Sequence, residues 1–224
     1  TGGFLHPVRA VQDSTGTIHA VAPYLAHTGY SPAFQDVRYA RLDGEEALVV
    51  DTDIALGEEV DRHGLMLDEL ERPVALVQGR DSVSVVRFSP EGWELLADTP
   101  MDPFQVSMVT PWMDAGGTIH VTMLEMERVL TRRLTEMGLP EAEVTDLPEG
   151  YSLTRLFVSD AGWDPVWLLQ QNATDRRILV PASLDCSTTG CAWVLDEDAA
   201  VTTDDGDYRR SAAGRAADGT VVVV

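Results

Sequence analysis

The sequence contains no lysine. All 16 of its basic residues are arginine, set against 37 Asp and Glu, for a formal net charge of -21. A surface of that sign repels phosphate backbones and anionic lipid, which argues against nucleic acid as a partner and suits cationic partners or divalent ions. Asparagine occurs once, as Asn172, and both scarcities fit GC-rich codon usage. No stretch approaches the roughly 20 apolar residues of a membrane helix, so insertion into a membrane is not expected. Only two cysteines are present, Cys186 and Cys191. A zinc site would need two further ligands at suitable spacing, and the five histidines are scattered. The short Cys186-to-Cys191 loop, with Gly190 inside it, instead predicts a disulfide, which points to an exported protein in the periplasm, at the cell surface or in the medium. The chain opens on Thr1 rather than Met, the mark of a processed or trimmed N-terminus.

What is abundant is a short motif that returns. Asp13-Ser14-Thr15-Gly16-Thr17-Ile18-His19 near the start is repeated in Asp114-Ala115-Gly116-Gly117-Thr118-Ile119-His120 and again in Asp218-Gly219-Thr220-Val221. Asp, Gly and a β-branched run describe a strand, a tight turn and a second strand. Gly162 continues the series, and the turn missing between Gly16 and Gly117 falls near Glu71-Arg72-Pro73. A second marker, an apolar strand meeting an Asp, recurs at Asp51, Asp98, Asp146 and Asp196, at intervals of roughly fifty residues. Two independent markers with one period predict an all-β chain of β-propeller type, with four four-stranded blades at about 4–53, 64–98, 104–146 and 151–198. A fifth unit, about 208–224, has two strands. Its short paired edge, Val221–Val224, is a template for another chain, so completion by a second polypeptide, by a further copy or by residues outside the sequence is expected.

In the first unit the pattern reads as strands Pro7–Val11, Thr17–Ala22, Val37–Arg41 and Ala47–Val50. One segment conflicts with the repeat. Met123, Met126, Leu130, Leu134 and Met137 follow a helical stripe, whereas the register asks for a third strand around Arg128–Leu134. The spacing of the flanking markers favours the strand.

Gly16-Thr17-Ile18-His19-Ala20-Val21, followed by Asp36-Val37-Arg38-Tyr39-Ala40-Arg41 and Gly44, resembles the sialidase-like (BNR-type) β-propellers of bacterial exported proteins. The Asp-box of that family is kept only in part: Val158-Ser159-Asp160-Ala161-Gly162 retains Asp and Gly, with Val158 where Ser belongs and Pro165 where Trp belongs. The resemblance implies the fold and an arginine triad, for which Arg38, Arg80, Arg128 and Arg155 are candidates. The arginine motif of those enzymes is absent, and Arg177-Ile178-Leu179-Val180-Pro181 is a poor echo.

The remaining candidates are weighed against ordinary packing. His19 and His120 occupy equivalent positions after their turns, which predicts packed strand histidines with one hydrogen bond each; ligand contact is the alternative. Trp112 and Trp163 lie next to turns and are the aromatic candidates for ligand binding, against packing between blades. Asp204, Asp205 and Asp207, in Asp204-Asp205-Gly206-Asp207, are a candidate Ca²⁺ loop, against a solvated acidic linker. No other cofactor is implied. The sequence reads as a non-catalytic exported binding or assembly module, with a glycoside hydrolase of the sialidase-like class and a calcium-stabilised structural propeller as alternatives.

Overall fold

A computed structural model of the chain describes residues 8–25, 34–43, 50–54, 62–79, 81–100, 106–114, 116–125, 128–136, 138–140, 142–157, 165–174, 176–187, 190–203, 213–215 and 221–223. The fold is all-β and propeller-type. Four four-strand antiparallel meanders follow one another in chain order. The first joins β1 (Arg9–Gln12), β2 (Ile18–Leu25), β3 (Phe34–Leu42) and β4 (Val50–Ile54). The second joins β5 (Arg62–Leu67), β6 (Pro73–Gln78), β7 (Ser82–Ser89) and β8 (Gly92–Pro100). The third holds β9 (Val106–Met113), β10 (Ile119–Glu125), β11 (Arg128–Arg133) and β12 (Glu143–Asp146). The fourth holds β13 (Tyr151–Phe157), β14 (Val166–Gln171), β15 (Arg177–Ser187) and β16 (Gly190–Leu195), with β17 (Val201–Thr203) also paired to β15. A two-stranded sheet, β18 (Ala213–Arg215) with β19 (Val221–Val223), follows. Among the described residues no helix is long and apolar enough to cross a membrane.

The helical stripe is overridden. Residues 119–125 and 128–133 are paired strands, with Met123 opposite Leu130 and His120 opposite Arg133. The strands lie inside a four-stranded sheet and bury Met123 and Val129 there; tertiary packing of this kind outweighs a local helical pattern. In the first blade the last strand is described over Val50–Ile54, so Asp51 and Asp53 lie inside it; Ala47, Leu48 and Val49 of the expected strand lie outside the described residues. The alternation Val50-Asp51-Thr52-Asp53-Ile54 suits an outer strand, with Ile54 only 2% exposed. Asp98 likewise lies within β8, where it accepts a hydrogen bond from Ser84 Oγ at 2.7 Å.

Central strands are buried along their length. Pro73–Gln78 is buried at all six positions, and Val166–Leu169 at four in a row. Strands covered on both faces read as continuous apolar runs, as these do. The chain forms two compact units, Thr1–Pro111 with Leu134–Pro140, and Trp112–Arg133 with Glu141–Val224. In the first, Val21, Val37, Tyr39 and Ile54 of one blade pack on Ala75, Val77 and Val86 of the next, with Leu65, Phe88 and Trp93 around them. Each fully buried Val or Ile side chain among these contributes about 1.5–3 kcal/mol. In the second unit, Phe157, Val166, Leu168 and Leu179 form a core cluster.

Candidate functional site

The recurring turn is one structure built three times. In the first blade Asp13 Oδ1 accepts from the amides of Thr15 and Thr17, each at 2.9 Å, and the turn is closed by Asp13 N–H to Thr17 O at 3.0 Å. In the third, Asp114 Oδ1 accepts from the amides of Gly116 at 2.8 Å and Thr118 at 3.0 Å, with Asp114 N–H to Thr118 O at 3.0 Å. In the second, Asp68 Oδ1 accepts from Leu70 at 3.0 Å and Arg72 at 2.9 Å, and Asp68 N–H meets Arg72 O at 3.0 Å. Aspartate is suited to this work because its short carboxylate reaches backbone amides two and four residues on. The fourth residue of each turn is left-handed: Gly16 at φ 89°, Gly117 at φ 81° and, in the second blade, Glu71 at φ 58°.

The other carboxylate oxygen reaches inward. Asp13 Oδ2 lies 3.2 Å from His19 Nε2, and Asp114 Oδ2 lies 2.8 Å from His120 Nε2. The second blade has Val74 where the others have histidine, and there Asp68 Oδ2 binds Arg72, at 2.8 Å to Nε and 2.7 Å to Nη2. Burial pushes the Asp13 carboxyl up, but hydrogen bonds from Thr15, His19 and the Thr17 and Thr15 amides outweigh it and hold the group at about 2. Asp114 is also held low: its burial is outweighed by His120 and the Thr118 and Gly116 amides.

Beyond the histidines the blades differ. His19 Nδ1 lies 2.7 Å from Tyr39 Oη, so both ring nitrogens have partners. Tyr39 is fully buried and stands 4.9 Å from Phe88 and 5.2 Å from Trp93, centroid to centroid. Burial pushes its hydroxyl up to about 12, with Arg41 opposing and Asp43 and Asp13 reinforcing. At the matching register of the third blade stands Thr131, opposite Thr122. Thr131 Oγ1 accepts from Trp193 Nε1 at 2.8 Å, and Thr122 Oγ1 accepts from Trp112 Nε1 at 2.9 Å; the two hydroxyls are 3.3 Å apart. Trp112 stacks on His120 with centroids 4.5 Å apart, and His120 Nδ1 has no hydrogen-bond partner.

The sequence candidates therefore fall as follows. His19, His120 and Trp112 are buried, at 6%, 0% and 5% exposure, and are engaged in packing and hydrogen bonds within the blades. Cys186 and Cys191 are bonded to each other across hairpin β15–β16. The Cys191 amide also donates to Glu143 Oε2 on β12. Trp163, Asp204, Asp205, Asp207 and Arg80 lie outside the described residues, as do the turn glycines Gly162 and Gly219. Arg128 faces Asp146 at 3.6 Å on the surface, a pair of little energetic weight. Arg38 is on β3 and Arg155 on β13. Among the described residues no group of three or more His, Cys, Asp and Glu gathers as a metal site would require.

No family model matches the chain, and no curated protein matches it. Among solved structures, a protein from Lactobacillus plantarum superposes with a TM-score of 0.53 at 14% identity, covering 99% of this chain and 72% of the other. That likeness is one of fold alone. A bifunctional GH43-CE protein of Bacteroides eggerthii gives a TM-score of 0.46 at 11% identity over 84% of this chain and 26% of the other. A Bifidobacterium bifidum s17 protein described as an exo-beta-1,3-galactanase gives 0.46 at 11% over 99% and 91%.

The recurring motif already contains Asp13 and Asp114, whereas the second blade, with no turn glycine, hid its own turn aspartate, Asp68. The signal was there: an Asp three residues before each left-handed position. A further signal is Arg41, Arg87 and Arg133, equally spaced in sequence and standing opposite His19, Val74 and His120 in their blades.

Proposed function

We propose that the chain is a non-catalytic, exported propeller of degenerate sialidase-like type that acts as a binding or assembly module. The observation that carries this is the commitment of its recurrent polar groups to the scaffold. Asp13, Asp68 and Asp114 each use one oxygen on two turn amides and the other on a histidine or arginine beside the turn. Glycoside hydrolysis needs a pair of carboxyl groups facing a sugar across a cleft; these carboxylates face their own backbone. The disulfide supports an oxidising compartment. The assembly contact favoured by this reading is strand addition at β18–β19, which among the described residues is a two-stranded ribbon, against four strands in each of the first three sheets.

Two measurements test it. A panel of fluorogenic glycosides, sialosides included, is expected to show no turnover; turnover abolished by Arg38→Ala overturns the reading. Light scattering on the purified chain is expected to show a mass above 24.4 kDa, or capture of added strands; a stable, unaggregated monomer overturns the assembly contact.

A further inference from the structure

Among the described residues, His120 is a fully buried ionisable group left one hydrogen bond short. Its side chain is 0% exposed, its Nε2 lies 2.8 Å from Asp114 Oδ2, and one face is covered by Trp112 at 4.5 Å. Its Nδ1 is without a hydrogen-bond partner. With Nε2–H donating to Asp114, the neutral ring leaves a bare lone pair at Nδ1, which is tolerable. A second proton would place a charged N–H there with nothing to accept it, and an unsatisfied buried donor is costly. The first blade is built otherwise: its equivalent nitrogen meets the Tyr39 hydroxyl at 2.7 Å, and a hydroxyl can serve as donor or acceptor. Thr131, which replaces that tyrosine, already accepts from Trp193.

We propose that the Asp114–Thr118 turn of the third blade is an acid-operated latch, released when His120 takes up a proton at Nδ1, whereas the matching turn Asp13–Thr17 is not. The groups that bear on the ring are Asp114 beside it, Arg133 opposite on β11 and Glu143 on β12. Burial depresses the imidazole below its ordinary range; Asp114 opposes this, Arg133 reinforces it and Glu143 opposes it. A depressed folded value means that the unfolded turn binds the proton more tightly. The stabilisation is therefore complete above the ordinary imidazole range, about 6.5, and is lost as pH falls below it. Opening frees the Gly116, Gly117 and Thr118 amides held by Asp114.

Amide hydrogen exchange on the intact chain, corrected for intrinsic rates, tests the latch. Between about pH 7.5 and pH 5 the protection of Gly117 and Thr118 is expected to fall about tenfold or more, while that of Gly16 and Thr17 holds. His120→Gln, which keeps a donor toward Asp114 but cannot take up the proton, is expected to remove the pH dependence. Tyr39→Phe is expected to transfer it to Gly16 and Thr17. If His120→Gln does not fold, the ¹⁵N shift of His120 Nδ1 in the unmodified protein decides: its titration must coincide with the loss of protection. Equal protection at both pH values, persistence of the effect in His120→Gln, or loss of protection without titration of Nδ1 would each overturn the proposal.

Discussion

At the scale of single residues, Glu71 shows how a repeat tolerates an exception. It holds the left-handed position that glycine holds in the first and third turns, at φ 58°, a conformation that costs a side chain about 1 kcal/mol. The carboxylate offsets that cost by gripping the neighbouring turn: Ser14 N–H donates to Oε1 at 3.0 Å and Ser14 Oγ to Oε2 at 2.7 Å. Removing the grip and removing the strain are separable. Glu71→Ala keeps the backbone strain and loses both hydrogen bonds, so it is expected to lower stability by about 1–2 kcal/mol. Glu71→Gly loses the same bonds but relieves the strain, and its urea midpoint is expected to lie above that of Glu71→Ala. Equal midpoints for the two variants would mean that the left-handed backbone carries no cost there.

At the scale of elements, close packing of strands rests on one glycine in the first unit. A Cβ on Gly64 of β5 would come within 2.5 Å of Pro111 Cδ and 2.9 Å of its Cγ on β9. A proline ring cannot rotate away as a long side chain would. Gly64→Ala is therefore expected to destabilise by about 1–3 kcal/mol, the range for overpacking, read as a lower thermal midpoint. The clash is steric, so Gly64→Ala combined with Pro111→Ala is expected to recover part of the loss; no recovery would locate the strain elsewhere. The hairpin β15–β16 is held differently, by Cys186–Cys191 at its tip and by Trp193 reaching Thr131 on β11. Its closure is covalent at one end and packed at the other.

At the scale of the whole molecule the dominant physical fact is charge. A formal net charge of -21 on 224 residues works against any compact state through self-repulsion. Added salt screens that repulsion over about 10 Å at 0.1 M. The thermal midpoint is expected to rise with sodium chloride from low ionic strength toward about 0.5 M, where screening of surface repulsion is nearly complete. A midpoint that falls over that range would mean that attractive pairs such as Arg72–Asp68 and Arg87–Glu94 outweigh the net charge. Under the proposed assembly contact, the same acidity is expected to make basic strands bind at β18–β19 more tightly than acidic ones.

How much of this was legible in the sequence depends on the distance over which each interaction acts. The Asp-to-Gly turns and the apolar strands ending on Asp determined an all-β repeat, and the short loop between the two cysteines determined the pairing of Cys186 with Cys191. All of these are interactions between residues within a few positions of one another or across a single hairpin. Even where Met123–Met137 mimicked a helix, the repeat outweighed it, because packing within the sheet buries Met123 and Val129. The tertiary structure alone decided which group each aspartate's second oxygen meets, that Thr131 of the third blade holds the register of Tyr39 and accepts from Trp193, and that Glu71 reaches Ser14. Those contacts join residues from different strands or different blades, and their partners are chosen by strand register and side-chain size, neither of which a local motif records.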